Sequence, residues 1–115
     1  MKFSKEKKYN PAKIKGNQFE IAIIDRLKEI GFEAQSSRSE SRNEDNKGSD
    51  IITDCPYDIQ CKAVERSSMN LHDIILLMRM NGLERPVIAH KRNSKGVVVS
   101  MAWETFQEIL ETLKK

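Results

Sequence analysis

The sequence predicts an α/β domain in which a mixed β-sheet is flanked by helices. Helical and strand-like apolar spacing alternate along the chain, in the order α-β-β-β-α-β-β-α. Groups of strands between helices favour such a sheet over a helical bundle or a sandwich. The length of 115 residues provides for one small domain with a modest core.

The first helix is expected over residues 18–30, because Phe19, Ile23 and Leu27 recur at helical spacing. Asn17 would cap its start and Gly31 would end it. A short strand is then expected over residues 32–36. The polar, aperiodic residues 37–49 predict a long loop, which in a small domain is more often functional than decorative.

Two short strands separated by a turn predict a β-hairpin over residues 50–63. Downstream, the apolar spacing predicts residues 71–80 as a helix, 87–90 and 97–101 as strands, and 103–113 as the last helix. The aromatic residues Trp103 and Phe106 are expected in the core.

The charge is concentrated near the N-terminus, although the net charge is only +3. The first 15 residues contain six lysines and one glutamate, and the rest of the chain is slightly acidic. We therefore expect a flexible basic arm over residues 1–14 and a single domain over residues 15–115. Such an arm binds a polyanion by counterion release, or serves as a solubilising tail.

Several functional classes are disfavoured by the composition. Apolar runs are too short to span a bilayer, and the N-terminus lacks the apolar stretch of a secretory signal. The two cysteines cannot form a disulfide framework or a four-ligand zinc site by themselves, and no P-loop is present. We expect a cytoplasmic protein, in the host cytoplasm if the chain is viral.

Polar residues of the predicted hairpin are expected to converge on a metal site. Gln60 and Lys62 share one strand face, and the hairpin would bring Asp50 to their level. Glu20 borders the apolar stripe of the first helix, where a carboxylate needs a partner or a metal. Mg²⁺ prefers oxygen ligands, which Glu20, Asp50, the Gln60 amide and the Cys61 backbone carbonyl would supply. If the metal binds a phosphate, Lys62 would orient the water that attacks the phosphate or help to deprotonate that water.

Each of these residues also has a purely structural interpretation. Glu20 lies three residues after Asn17 and would suit a capping interaction at the helix start. Asp50 would suit a turn that leads into a strand. Gln60 and Lys62 would suit the solvent-facing side of a sheet.

The order of these residues resembles the PD-(D/E)XK nuclease superfamily, and more narrowly the Holliday junction resolvases of archaeal and phage type. The resemblance covers residues 13–104. It is carried by Lys15-Gly16-x-x-x-Glu20, Gly31-Phe32, Arg38-Ser39-Glu40-Ser41, Gly48-Ser49-Asp50-Ile51-Ile52 and Ile59-Gln60-Cys61-Lys62. It implies a restriction-endonuclease-like core and a single nuclease domain.

The resemblance also implies a function. The chain would be a Mg²⁺-dependent, structure-selective DNA endonuclease, with Mn²⁺ as a substitute. It would resolve four-way junctions as a homodimer, by symmetric phosphodiester hydrolysis. Asp50 would be the central metal ligand, Lys62 the catalytic lysine and Glu20 the helix acid. The implied DNA-binding residues are Lys15, Arg38, Ser39, Ser41, Arg42 and Lys47.

Gln60 departs from the family pattern, because it stands where Glu or Asp is usual. The exchange removes one negative charge from the predicted metal site. One alternative that stays open is therefore a catalytically inactive DNA-binding module. Two others are another nuclease of the same superfamily, such as a nickase, flap or fork nuclease, and a small adaptor whose charged loop contacts another protein.

Overall fold

The computed structural model describes residues 11–37, 49–63, 70–92 and 95–115. Within them the helices and strands follow the predicted order, and the chain is an α/β protein with helices against a mixed sheet. The elements are α1 (Pro11–Ile30), β1 (Ala34–Ser36), β2 (Ile51–Thr53), β3 (Asp58–Ala63), α2 (Leu71–Met80), β4 (Pro86–Lys91), β5 (Val97–Met101) and α3 (Trp103–Leu113).

Helix α1 begins at Pro11, earlier than predicted. Proline suits the first helical position, because its fixed φ matches a helix and its missing N–H has no partner there. Gly16 lies inside the helix without ending it. Asn17 is therefore an interior residue, so its predicted capping role and the capping interpretation of Glu20 are wrong. Residues 1–10 of the predicted arm lie outside the described residues.

The strands form two ladders. β1 and β2 are antiparallel, with Ser36 opposite Ile51. β3 is parallel to β4, and β4 is antiparallel to β5. The prediction that residues 50–63 form a hairpin is wrong, because β2 pairs with β1 instead of β3. β3 instead forms a six-residue parallel ladder with β4, and Asp50 alone bonds its opposite edge among the described hydrogen bonds.

The core lies between α1 and the strands. Phe19, Ile23 and Ile24 of α1 are buried against apolar residues of four strands. Those strand residues are Ala34, Ile51, Ile59 and Ala89. This contact fixes the rotation of α1 about its axis, so the residue next to Phe19 also turns towards the strands.

Helix α2 packs on β4, where Met78 and Ile88 are almost completely buried. The side chain of Asn70 caps the helix by accepting a hydrogen bond from the Asp73 main-chain N–H at 3.1 Å. The bounds of α2 match the prediction. Along the described residues, no helix has both the length and the apolar character needed to cross a membrane.

Helix α3 has the predicted bounds but a different buried face. Thr105 is buried, whereas Trp103 is 61% exposed and Phe106 is 41% exposed. The expectation that these aromatic residues belong to the core is therefore wrong. Their rings contact each other edge to face, 5.6 Å apart, and they line an open groove between α2, β5 and α3. Spacing along a helix identifies an apolar face, but it cannot show whether another element covers it.

Candidate functional site

The alternation of side chains along β3 separates two groups of residues. Ile59 is buried in the core below α1, and Cys61 packs against the same cluster. Gln60 and Lys62 are half-buried and, by the period of two, leave the strand on the opposite face. β3 therefore presents its core residues to α1 and its two polar candidates to the other side of the sheet.

Asp50 is held by two hydrogen bonds against the edge of β3 that faces away from β4. Its main-chain N–H donates to the Ile59 carbonyl at 2.9 Å, and its Oδ2 accepts from the Cys61 N–H at 2.8 Å. On its other side, the Asp50 carbonyl accepts from the Ser37 N–H at 3.0 Å. The structure thus places this carboxylate at the level of Cys61, between β1 and β3.

Glu20 reaches the same region from α1. Its side chain is only 6% exposed, and its Oε1 accepts a hydrogen bond from Ser36 Oγ at 2.8 Å. Ser36 ends β1, opposite the first residue of β2. Because Asp50 immediately precedes that residue, the Ser36 hydrogen bond brings Glu20 towards the start of β2.

The Cys61 thiol shows that the two carboxylates are close to β3. Burial is the largest cause of a strong rise in the pKa of Cys61, and the negative charges of Asp50 and Glu20 raise that pKa further. Coulomb interactions weaken with distance, so both carboxylates lie near this thiol. The structure therefore brings Glu20, Asp50 and Cys61 together.

The main chain of Cys61 adds a further oxygen to this region. The N–H and carbonyl of one strand residue point to the same side of the strand, and residues two apart repeat that direction. Since the Ile59 carbonyl and the Cys61 N–H both bind Asp50, the Cys61 carbonyl also points away from β4 and towards the Asp50 side. It is the backbone oxygen that the sequence predicted as a metal ligand.

The donors present fit a hard cation better than a soft one. Among the described residues, no group of three or more His, Cys, Asp and Glu side chains is arranged to hold a metal. Mg²⁺ needs fewer side chains, because it is commonly held by one or two carboxylates together with water and phosphate. Glu20, Asp50 and the Cys61 carbonyl would supply such a set.

The remaining predicted residues are only partly described. Gln60 and Lys62 are adjacent to Cys61 in sequence, but their side chains lie on the face opposite the core. Lys62 is level with His90 of β4, whose Nε2 lies 2.8 Å from Ser100 Oγ. The side chain of Lys15 and all of Arg38, Ser39, Ser41, Arg42 and Lys47 lie outside the described residues.

Ser36 is a site residue that the sequence pattern does not identify, because the pattern indicates only that it ends a strand. A signal was present: Ser36 is two residues after Ala34, so both share the strand face that meets α1. A hydroxyl on a core-facing position indicates a buried polar partner, which here is Glu20.

Comparison with protein-family models and with curated proteins finds no match for this chain. The assignment of the site consequently rests on the contacts of Glu20, Ser36, Asp50 and Cys61.

The Ser36–Glu20 hydrogen bond is expected to stabilise the fold. Ser36→Ala leaves a buried carboxylate oxygen without this donor, which costs about 1–3 kcal/mol in the free energy of unfolding. Urea denaturation at neutral pH measures the loss. The neighbouring Gln35→Ala, at an exposed position of β1, is the control and should change stability by about 0.5 kcal/mol or less. Equal stability of both variants would contradict the contact.

The Cys61 thiol is expected to resist alkylation. In a Cys55→Ser background, iodoacetamide at pH 8.5 should modify Cys61 at least about ten times more slowly in the folded protein than in urea, where the thiol pKa returns to about 8.5. Asp50→Asn should increase the folded-state rate, because it removes a charge that raises the pKa. Asp25→Asn, at an exposed site on α1, should leave the rate unchanged. An equal rate in all three proteins would place Asp50 away from the thiol.

Proposed function

We propose that this chain is a metal-dependent DNA endonuclease of the restriction-endonuclease-like type. The observation that supports this most directly is the pair of hydrogen bonds that hold Asp50 against Ile59 and Cys61. They place a carboxylate one residue from Lys62, with the buried Glu20 nearby. Carboxylates next to a strand that also carries a lysine form a combination of groups that is suited to hydrolysis of a phosphodiester.

In the proposed reaction, water attacks the phosphorus and the bond to the 3′ oxygen breaks. The attacking water loses a proton and the departing 3′ oxygen takes one up, so the products are a 5′-phosphate and a 3′-hydroxyl. A bound Mg²⁺ would supply Lewis-acid stabilisation of the phosphate charge. Asp50 and Glu20 would hold that ion with the Cys61 carbonyl, and Ser36 would orient Glu20. Lys62 would orient the water and offset negative charge on the phosphate.

Gln60 would contribute an amide oxygen in place of a carboxylate. The site would then carry one negative charge fewer, so its intrinsic affinity for a divalent cation would be lower. Binding of substrate would compensate, because a phosphate oxygen supplies the missing negative ligand. We therefore expect tight metal binding only when DNA is present.

We propose a four-way DNA junction as the preferred substrate, and a homodimer as the active form. A junction has two symmetric scissile strands, and a domain of this size carries one candidate site, so paired cuts require two copies. Apolar side chains that are exposed on α2, β5 and α3 offer a surface for a second copy. The most exposed are Leu76, Leu77, Met80, Val98, Val99, Trp103 and Leu113. DNA as the substrate is consistent with a cytoplasmic protein.

An inactive DNA-binding module is the second candidate. It is favoured by the neutral Gln60 and by the position of Lys62 on the sheet face opposite the core, away from the side that Glu20 approaches. Cleavage separates the two candidates, since both would bind DNA.

Cleavage of a fixed four-way junction and of a linear duplex tests the proposal. With Mg²⁺ we expect paired, symmetric nicks near the branch, no cutting in EDTA, and a cruciform plasmid converted directly to linear DNA. Asp50→Asn and Lys62→Ala should each reduce the rate by about 100-fold or more. Lys28→Ala, at an exposed lysine of α1, is the control and should cut normally.

Three other results have distinct meanings. Junction binding without cutting in Mg²⁺ or Mn²⁺ would favour the inactive module. Equal cutting of duplex and junction would indicate another nuclease of the superfamily, such as a nickase, flap or fork enzyme. Cutting that survives both substitutions would contradict the site.

The charge at position 60 is expected to control metal affinity. Gln60→Glu should keep or tighten the binding of Mn²⁺, measured by electron paramagnetic resonance, because it restores a negatively charged ligand. Gln35→Glu adds the same charge at an exposed position of β1 and should have little effect. Complete loss of Mn²⁺ binding in Gln60→Glu would count against this geometry.

A further inference from the structure

The turn between β4 and β5 is strongly basic. Lys91, Arg92 and Lys95 are all exposed. In the sequence no acidic residue occurs between Glu84 and Glu104. We call Lys91, Arg92 and Lys95 the basic turn.

The parallel pairing of β3 and β4 places the basic turn at the same end of the sheet as Lys62. Lys62 lies opposite His90, and Ala63 lies opposite Lys91. Arg92 is thus two residues beyond the level of Lys62 on the neighbouring strand, about 7 Å along the strands and about 5 Å across them. This spacing puts the cations within a few nucleotides of any phosphate that Lys62 contacts.

The strands hold the basic turn in place. Lys91 is paired with Val97 at the end of the β4–β5 ladder, and the Lys95 N–H donates to the Arg92 carbonyl at 3.0 Å. His90 and Ser100 are joined by their hydrogen bond just before the turn. Because these bonds hold the main chain of the basic turn, less conformational entropy is lost when its side chains bind a ligand.

We propose that the basic turn binds the phosphate backbone of DNA next to the cleavage site. This inference rests on the proposed function, because that function identifies DNA as the polyanion. It adds a DNA-contact surface formed by Lys91, Arg92 and Lys95. Three cations without an acidic neighbour in sequence complement a polyanion, and their position extends the path of a strand that passes Lys62.

The salt dependence of binding gives the proposal a quantitative form. Each phosphate that a protein cation neutralises adds about 0.9 to the slope of the logarithm of affinity against the logarithm of salt concentration on duplex DNA. Removal of the basic turn should therefore lower that slope by about 2–3. A merely solvated turn would leave the slope nearly unchanged.

The test compares two triple variants with equal loss of charge. One is Lys91→Ala, Arg92→Ala and Lys95→Ala. The control is Lys28→Ala, Lys114→Ala and Lys115→Ala, which removes three exposed cations elsewhere. Fluorescence anisotropy with a labelled junction in EDTA, at several salt concentrations, reports binding without cleavage. Circular dichroism melting checks that both variants fold as the wild type does.

We expect the basic-turn variant to bind at least about ten times more weakly at 150 mM salt and to show the reduced slope. The control should change affinity by less than about threefold. If both variants lose affinity equally, the effect is one of net charge and the inference fails, while the proposed nuclease stands. If the wild type itself shows no salt-sensitive binding to junction or duplex, both the inference and the proposed function fail. Equal competition by poly-glutamate would also overturn the assignment to DNA.

Discussion

The contact between Asp50 and the edge of β3 links the two ladders of strands that α1 covers together. β1 and β2 form one ladder and β3, β4 and β5 form another, and the hydrogen bonds of Asp50 to Ile59 and Cys61 connect them. Asp50 therefore contributes both to the contact between the two ladders and to the candidate site. Any substitution at Asp50 should be judged by stability as well as by activity.

The buried carboxylate of Glu20 explains why the site needs support from the surrounding fold. Burial of a charge is unfavourable unless hydrogen bonds or an opposite charge compensate. Ser36 supplies one such hydrogen bond, and α1 contributes the apolar residues that exclude water from it. The two carboxylates contribute to the raised pKa of the Cys61 thiol, and a bound cation would offset their negative charge.

The two sides of the sheet differ in how completely they are covered. α1 closes one face over Ile59 and Ala89, whereas many apolar side chains of α2 and α3 remain exposed. Lys62 and the basic turn lie towards the C-terminal ends of β3 and β4, where they form a positively charged edge of the sheet. In the proposed nuclease, three regions would have different roles. The face under α1 would form the core, the exposed apolar side chains would contact a second copy, and the positively charged edge would bind DNA.

The sequence by itself determined the order of the elements and most of their bounds, because apolar periodicity and turn residues act over a few neighbouring positions. It also indicated that Glu20 would be turned inward. Only the tertiary structure decided that β2 pairs with β1, that Ser36 binds Glu20, and that the basic turn begins one residue beyond the level of Lys62. These relations are contacts between residues distant along the chain, which the local spacing of apolar and polar residues does not encode.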